Sequence, residues 1–117
     1  MPQKEVIATR RGPAPSGPYS RAVKFGEMIF VSGISSKNLD APIEDQVRQV
    51  LDNIRLILED AGSSMDRVLK MTVVMQDLSE WSRMNTVFKE FFQRDPPART
   101  TFQSKISSKV EMDAIAC

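Results

Sequence analysis

Arg99 and Glu111 are the charged residues whose types and positions best suit chemistry on a small acid. Arg99 lies in the run Pro96–Thr101, where its neighbours are small, hydroxylated or apolar, and Glu111 lies in the closing run Val110–Ala116. A planar guanidinium binds a carboxylate through two parallel charge-assisted hydrogen bonds. A carboxylate can position water and move its protons. Together the two residues predict a site that binds and hydrolyses a small carboxylic acid.

Both runs have the alternation of β-strands, in which successive side chains face opposite sides of a sheet. In the first, expected over Ala98–Ile106, Arg99 and Thr101 share one face. In the second, Glu111 and Asp113 lie opposite the apolar residues. If the two strands pair, Arg99 and Glu111 come together at the edge of a pocket. The pairing of these strands is therefore the first structural expectation.

The length and charge of the chain limit its partners. A chain of 117 residues is expected to form one domain, residues 1–117. Its 16 Lys and Arg nearly balance its 15 Asp and Glu, so no nucleic-acid partner is expected. No segment has the apolar length of a signal sequence or a membrane span. A cytoplasmic protein without a membrane partner is therefore expected.

The chain contains no histidine, and its one cysteine is the last residue, Cys117. These absences exclude Ser-His and Cys-His catalysis, an intrachain disulfide and the usual zinc sites. Catalysis must then depend on arginine, tyrosine, hydroxyl side chains, asparagine, carboxylates and backbone groups. Neither a metal nor a cofactor is expected.

The remaining residues predict the elements that position this chemistry. The expected order is β-β-β-α-β-α-β-β. Gly26-Glu27 between two apolar runs favours a β-hairpin, and the stretch rich in proline and glycine before it favours an ordered surface loop. The segments are Glu5–Thr9, Ala22–Phe25, Met28–Val31, a helix that ends before Gly62, Val68–Met75, a helix over Ser79–Phe92, and the two runs above.

Apolar residues at steps of three and four predict both helices. We expect Trp81, Met84, Phe88 and Phe91 on the inner face of the second helix, and a loop over Ser32–Pro42 before the first. The first helix has this set of apolar residues: Val47, Val50, Leu51, Ile54, Ile57 and Leu58.

Two helices on one face of a mixed sheet make an α+β sandwich. The other face of the sheet would remain bare, although its residues are too apolar for exposure to water. We therefore expect an oligomer in which another subunit covers this face.

Several short motifs occur in a specific order along nearly the whole chain: Gly17-Pro18-Tyr19-Ser20, Val31-Ser32-Gly33, Asp52-Asn53-Ile54, Ala61-Gly62-Ser63-Ser64, Asn85, Pro97-Ala98-Arg99-Thr100 and Glu111-Met112-Asp113-Ala114-Ile115-Ala116. In that order they resemble the Rid family of reactive-intermediate deaminases, also called the YjgF or L-PSP family. The resemblance implies a chorismate-mutase-like fold and a homotrimer with active sites between subunits. It also implies cofactor-independent hydrolysis of 2-imino or enamino acids, such as 2-iminobutanoate and 2-iminopropanoate, to 2-oxo acids and ammonia.

The resemblance also assigns roles to individual residues. Arg99 resembles the family's arginine that binds the substrate carboxylate, and Glu111 resembles the acid that positions water. The other expected substrate-binding residues line the pocket or lie near it: Tyr19, Ser32, Gly33, Asn85 and Thr101.

Three departures from the family pattern concern the substrate. Thr101 occupies a position where many deaminating members have cysteine, Ile34 follows Gly33 where glutamine is frequent, and the loop Ile34–Pro42 is shorter than usual. One alternative is deamination of a longer acid such as 2-aminomuconate. Another is a non-catalytic regulatory trimer that binds a 2-oxo acid. Ribonuclease or translation-inhibitor activity is the least favoured, because the charge is near neutral and histidine is absent.

Each candidate residue also has a structural interpretation. Arg99 could be an ordinary ion-pair partner, Glu111 a solvated charge on a strand, and Tyr19 an anchor for its loop. Ser32 and Asn85 are of types that commonly make local hydrogen bonds. The sequence favours the binding role for Arg99 and Tyr19 and leaves Glu111 balanced between the two.

Overall fold

A computed structural model describes all residues, 1–117. Its elements are β1 (Glu5–Val6), β2 (Ala22–Phe25), β3 (Met28–Ser35), α1 (Ile43–Asp60), β4 (Val68–Met75), α2 (Trp81–Phe91), β5 (Ala98–Gln103) and β6 (Val110–Ala116), with short 3₁₀ turns at Met65–Arg67 and Leu78–Glu80. This order confirms the predicted β-β-β-α-β-α-β-β arrangement. Neither α-helix is long and apolar enough to cross a lipid bilayer.

The strands form one six-stranded sheet in the order β1-β2-β3-β6-β4-β5. Only β4 and β5 are parallel, and every other pair is antiparallel, so the sheet is mixed as predicted. The helices pack on one face, where 23 buried apolar residues make a continuous core. The architecture is the predicted α+β sandwich.

The predicted pairing of β5 with β6 is wrong, because β4 lies between them. Arg99 on β5 is opposite Met71 of β4, and Glu111 on β6 is opposite Val74 of β4. The physical reason is the crossover through α2, which returns the chain parallel to β4 and places β5 at the sheet edge. The final strand then enters the centre of the sheet, antiparallel to both neighbours.

The first helix is built from the predicted apolar residues, all of which are buried. Glu44 and Asp45 lie in its first turn, where the helix dipole favours negative charge. Gly62 follows the last turn with a φ of +82°, a left-handed conformation that glycine adopts without strain.

The inner face of α2 differs from its prediction at Trp81, which is 46% exposed. Met84 and Phe88 are buried as predicted, Val87 joins them, and Phe91 is only partly buried. Trp81 is the first residue of the helix, and its ring lies beside Arg99 rather than in the core. Helical periodicity identifies the apolar face of α2, but it does not show which residues at the ends of that face extend beyond the sheet.

Three strand boundaries also differ from the predictions. β1 ends at Val6 and β5 ends at Gln103, so both are shorter than expected. β3 continues to Ser35 through residues expected to be a loop. Its register with β6 shifts between Val31 and Ile34, so that two residues of β3 oppose one of β6. Such a β-bulge interrupts the alternation of buried and exposed side chains, so the period-two pattern does not predict this part of the strand.

The face of the sheet opposite the helices contains three exposed aromatic residues. Phe25, Phe30 and Phe102 are 51%, 44% and 45% exposed. Phe30 is paired with Ile115, which is half-buried on the same face. An exposed apolar face of this kind is expected to be covered by another molecule.

Candidate active site

Arg99 lines a cavity of about 360 Å³ between the C-terminal half of α2 and the segment before β5. Asn85 and Phe88 contribute from α2, and Pro96 and Pro97 contribute from the connection. The two prolines hold this connection in an extended form and lead directly into the strand that carries Arg99. The structure thus brings together two predicted site residues, Arg99 and Asn85.

The guanidinium of Arg99 has aromatic and apolar neighbours. Its Cζ atom lies 4.7 Å from the ring centre of Phe88 and 5.9 Å from that of Trp81. Its Nη1 atom is 3.8 Å from the sulfur of Met84. No carboxylate forms an ion pair with it. Within one chain, Arg99 therefore has no ion-pair partner.

Desolvation lowers the pKa of Arg99, because partial burial penalises the charged form. The rings hold the guanidinium by cation–π contacts and leave its N–H groups without a carboxylate. A charge in this environment gains most from an anionic partner that restores the lost solvation. The arrangement is suited to binding the carboxylate of a small molecule.

Thr101 lies two residues after Arg99 and on the same face of β5, opposite Val73 of β4. Its hydroxyl oxygen is buried and has no hydrogen-bond partner. The residue does not line the cavity beside Arg99. Its expected part in substrate binding stays a prediction.

A second cleft, of about 470 Å³, brings together the other four predicted site residues with two serines. Its lining residues are Ser16, Tyr19, Ser32, Gly33, Ser35 and Glu111. Three segments supply them: the loop before β2, the bulged part of β3, and β6. The bulge turns two of these residues toward one neighbour on β6, which is a common use of bulges beside functional sites.

Gly33 and Glu111 approach each other closely in this cleft. A Cβ atom added to Gly33 would lie 2.7 Å from the Oε2 atom of Glu111. That distance is too short for a carbon and an oxygen that are not bonded. Glycine at position 33 is therefore what allows the carboxylate to lie against β3.

Tyr19 is 43% exposed, and its ring borders the cleft. Its hydroxyl is 3.0 Å from the Ser16 hydroxyl and accepts a long hydrogen bond of 3.4 Å from the Ser16 backbone N–H. The side-chain and backbone hydrogen bonds of Ser16, aided by the charge of Arg21, lower the pKa of Tyr19. Ser32 is used locally, because its hydroxyl donates to the Ser20 carbonyl at 2.5 Å.

The two clefts do not merge within one chain. Arg99 lies on the helix side of β5, where its strand partner Met71 is buried. Glu111 lies on the opposite face of β6, since Val110 and Met112 on either side of it are buried in the core. The expectation that Arg99 and Glu111 meet directly in one chain is therefore wrong, for the same reason as the strand pairing.

Sequence reasoning missed three contributors to this region. The helical periodicity predicts Phe88 and Trp81 only as core residues, whereas both rings contact Arg99, and Phe88 does so while buried. No motif of the sequence points to Arg21, which is only 7% exposed. Its hydrogen-bond partners are backbone carbonyls, which no side-chain pattern of the sequence records. No group of three or more Asp, Glu or Cys side chains is arranged to hold a metal ion.

Comparison with known proteins identifies the family. Residues 9–117 match the family model described as Endoribonuclease L-PSP. The chain belongs to this family. Since the match covers most of the chain, including both clefts, the resemblance inferred from the short motifs is confirmed.

Individual relatives are similar over almost their whole length. A RutC family protein of Pyrococcus horikoshii is 42% identical over 122 residues, covering 97% of each chain. The 2-iminobutanoate/2-iminopropanoate deaminase of Bos taurus is 35% identical, covering 97% of this chain and 89% of the relative. The crystal structure of E. coli TdcF with bound serine is 35% identical, has a TM-score of 0.88, and covers 96% of this chain and 97% of that one.

Proposed function

We propose that this protein is a deaminase that hydrolyses small 2-imino or enamino acids to 2-oxo acids and ammonia. The observation that carries the proposal is the guanidinium of Arg99, which faces a cavity without a carboxylate partner. The similarity to the bovine 2-iminobutanoate/2-iminopropanoate deaminase supports the choice of substrate class. So does the small amino acid bound in the TdcF structure.

The proposed site lies between subunits of a homotrimer. One chain supplies Arg99 and Asn85 from its sheet edge and α2, and a neighbouring chain supplies Tyr19, Gly33 and Glu111 from the other cleft. A cyclic assembly joins two different surfaces of the same chain, which would bring the clefts together. The exposed aromatic residues opposite the helices would be covered in the same assembly. Light scattering should give the mass of a trimer, and a monomer at micromolar concentration would contradict the proposal.

The reaction begins with the carboxylate of the substrate on Arg99. A bidentate contact fixes the imine carbon, which is adjacent to the carboxylate and already electrophilic. Water adds to this carbon as Glu111 accepts a proton from it. The proton then passes to the substrate nitrogen, which gives a carbinolamine. The nitrogen takes a second proton, the C–N bond breaks, and the hydroxyl gives up its own proton as the carbonyl forms and ammonia leaves. An enamine must first take a proton on carbon and lose one from nitrogen to give the imine. The net change is imino acid plus water to 2-oxo acid plus ammonia.

The side chains of the proposed site are sufficient for this reaction. Addition of water to an imine needs orientation of the substrate and movement of protons, both of which Arg99 and Glu111 can provide. In the proposed complex, the nitrogen of the substrate lies near Tyr19 and the backbone of Gly33. We therefore propose an enzyme without a metal or cofactor, acting in the cytoplasm.

A coupled assay tests the proposal directly. A threonine dehydratase generates 2-iminobutanoate in solution, and its decay is followed with and without this protein. We expect faster decay with the wild-type protein and no acceleration with an Arg99→Ala variant that keeps the wild-type mass. Binding of 2-oxobutanoate without any acceleration would favour the regulatory alternative. Acceleration only with a longer unsaturated 2-amino acid would favour the 2-aminomuconate type of substrate.

A further inference from the structure

The segment 12–20, which carries Tyr19, contains no helix or strand. Its start is fixed by Asp60 of α1, whose carboxylate accepts hydrogen bonds from the backbone N–H groups of Arg10, Arg11 and Gly12 at distances of 2.8 to 3.2 Å. These contacts lie well before Tyr19. A different group must hold the part of the loop that borders the cleft.

Arg21 contacts the loop at Pro13, at Ala14 and at the Tyr19 ring, and the Ser32 hydroxyl holds the end of the loop at Ser20. Its Nε donates to the Pro13 carbonyl at 3.2 Å, and its Nη2 donates to the Ala14 carbonyl at 2.9 Å. Its Nη1 donates to the Gly33 carbonyl at 3.2 Å. Its Cζ atom lies 5.5 Å from the ring centre of Tyr19. One guanidinium thus joins the loop, the tyrosine ring and the bulge of β3.

The environment of Arg21 is unusual for an arginine. The residue is 7% exposed, and it forms no ion pair with any carboxylate. Its charge is balanced only by three carbonyl dipoles and one aromatic face. Burial of a charge without a counterion is costly. The buried position therefore favours a planar guanidinium, because its N–H groups can donate to three carbonyls at once.

A cavity of about 280 Å³ lies behind the tyrosine, between the loop and β3. It is bordered by Ala14, Tyr19, Arg21 and Ile34, among others. Because this space is not filled by core side chains, packing alone does not prevent the ring from moving into it. The Ser32 hydroxyl joins the bulge to the loop at Ser20, and Arg21 is the group that joins the bulge to both the start of the loop and the Tyr19 ring.

We infer that Arg21 is a positioning residue that fixes Tyr19 and Gly33 relative to one another and so sets the geometry of the cleft containing Glu111. This inference rests on the proposed function for its kinetic consequence. Its structural part, the contact of Arg21 with Tyr19, can be measured without any substrate. Arg21 itself does not line the cleft that contains Glu111.

The first test uses the fact that Tyr19 is the only tyrosine of the chain. Its ionisation can be followed by the absorbance of tyrosinate, and no other phenol contributes. Arg21→Met keeps the linear side chain and removes the charge and all donors, so the pKa of Tyr19 should rise by the part of its lowering that Arg21 adds to that of Ser16. Arg21→Lys keeps the charge and should retain more of this part than Arg21→Met. The matched control is Arg11→Met, which removes an exposed arginine just before the loop, where it pairs with Glu59.

The second test is the kinetics of the three variants in the imine decay assay. A misplacement of about 1 Å in a reacting group costs on the order of 10²-fold in rate, so Arg21→Met should lose roughly 10- to 100-fold in kcat. Arg21→Lys cannot reach three carbonyls and should also lose activity, despite its preserved charge. Binding of 2-oxobutanoate should change little, because Arg99 is untouched. Arg11→Met should match the wild type in all respects.

The possible outcomes separate this inference from the proposed function. If Arg21→Met is folded and leaves both the pKa of Tyr19 and kcat unchanged, the inference is overturned. A raised pKa with an unchanged kcat also overturns it, because the contact would then have no effect on the site. If the wild-type protein itself shows no deaminase activity, the proposed function fails, whereas the phenol titration still decides whether Arg21 holds Tyr19.

Discussion

Gly33 and Glu111 lie so close that the space between them has no room for a methyl group. A Cβ atom at position 33 would lie 2.7 Å from the Oε2 atom and 3.3 Å from the carboxyl carbon of Glu111. The bulge of β3 produces this approach by setting two residues opposite one of β6. The position of the carboxylate therefore depends on a backbone irregularity as well as on the identity of the acid.

Gly33→Ala should displace the carboxylate of Glu111 without unfolding the protein. The clash is with the end of a flexible side chain, which can rotate away, so the melting temperature should change little. We expect kcat in the imine assay to fall by roughly 10-fold or more, because the acid is moved from its reacting position. Ser82→Ala, at an exposed position of α2 that lines neither cleft, is the control. Full activity of a folded Gly33→Ala protein would contradict the role given to this contact.

Substitution of Arg99 tests the carboxylate-binding role. Arg99→Ala removes the charge and the fork, and Arg99→Lys keeps only the charge. Since each charge-assisted hydrogen bond contributes roughly 1.5–3 kcal/mol, kcat/KM should fall by on the order of 10²-fold or more in Arg99→Ala. Arg99→Lys should lie between it and the wild type. Arg94→Ala removes an exposed arginine shortly before β5 and should have no effect. A folded, fully active Arg99→Ala protein would refute the central proposal.

Glu111→Gln should separate turnover from binding. The amide keeps the size of the side chain but cannot accept a proton from water. We therefore expect a reduced kcat, while the affinity for 2-oxobutanoate, measured by calorimetry, stays close to that of the wild type. A loss of affinity comparable to that in Arg99→Ala would instead assign Glu111 to substrate binding.

The acid stability of the protein should depend on the ion pair between the two helices. Arg83 donates from Nε and Nη2 to both carboxylate oxygens of Glu44, at 2.8 and 2.7 Å. These hydrogen bonds, together with backbone hydrogen bonding and the charges of Arg83 and Arg48, lower the pKa of Glu44 from 4.5 to about 2. A carboxyl group with a lowered pKa in the folded state stabilises it above the pKa of the unfolded state. This stabilisation is lost as the pH falls from about 4.5 toward about 2.

The corresponding measurement is the melting temperature of wild type and Arg83→Gln across this pH range. The wild type should be more stable near neutral pH, and the difference should shrink below pH 4.5. Added salt should also reduce it, because Arg83 is exposed and Glu44 is partly exposed. Arg94→Gln, which removes an arginine without an ion pair, controls for the change in net charge. A difference that stays constant down to pH 2 would show that the Glu44 carboxylate is not its source.

The sequence predicted the features that depend on local burial. The alternation around Glu111 and the periodicity from Val47 to Leu58 identified their elements and faces, because each side chain must point toward or away from the core. The motifs also contain Arg99 and Asn85 of one cleft and Tyr19, Ser32, Gly33 and Glu111 of the other. Each of these inferences requires only neighbouring residues.

The missed features depend on contacts between distant segments. The position of β6 between β3 and β4 follows from how the crossover through α2 packs, which no local pattern records. Arg21 and Asp60 are buried or hydrogen-bonded by backbone groups of a proline-rich loop, and backbone partners leave no trace in side-chain patterns. The separation of Arg99 from Glu111 has the same origin, since a correct face assignment does not identify the neighbouring strand.

That separation provides the sharpest test of a shared site. If each site takes Arg99 from one chain and Glu111 from its neighbour, then an Arg99→Ala chain still carries an intact Glu111 cleft, and a Glu111→Gln chain still carries an intact Arg99 cavity. Each variant alone should have very low activity. When the two are unfolded together and reassembled, random mixing into trimers makes about one site in four wild type at both positions. The mixture should therefore recover roughly a quarter of the wild-type activity per chain.

Reassembly of each variant by itself is the control, and mass spectrometry of the intact oligomers verifies the mixing. Verified mixed oligomers that remain as inactive as the separate variants would show that Arg99 and Glu111 do not act across a subunit interface.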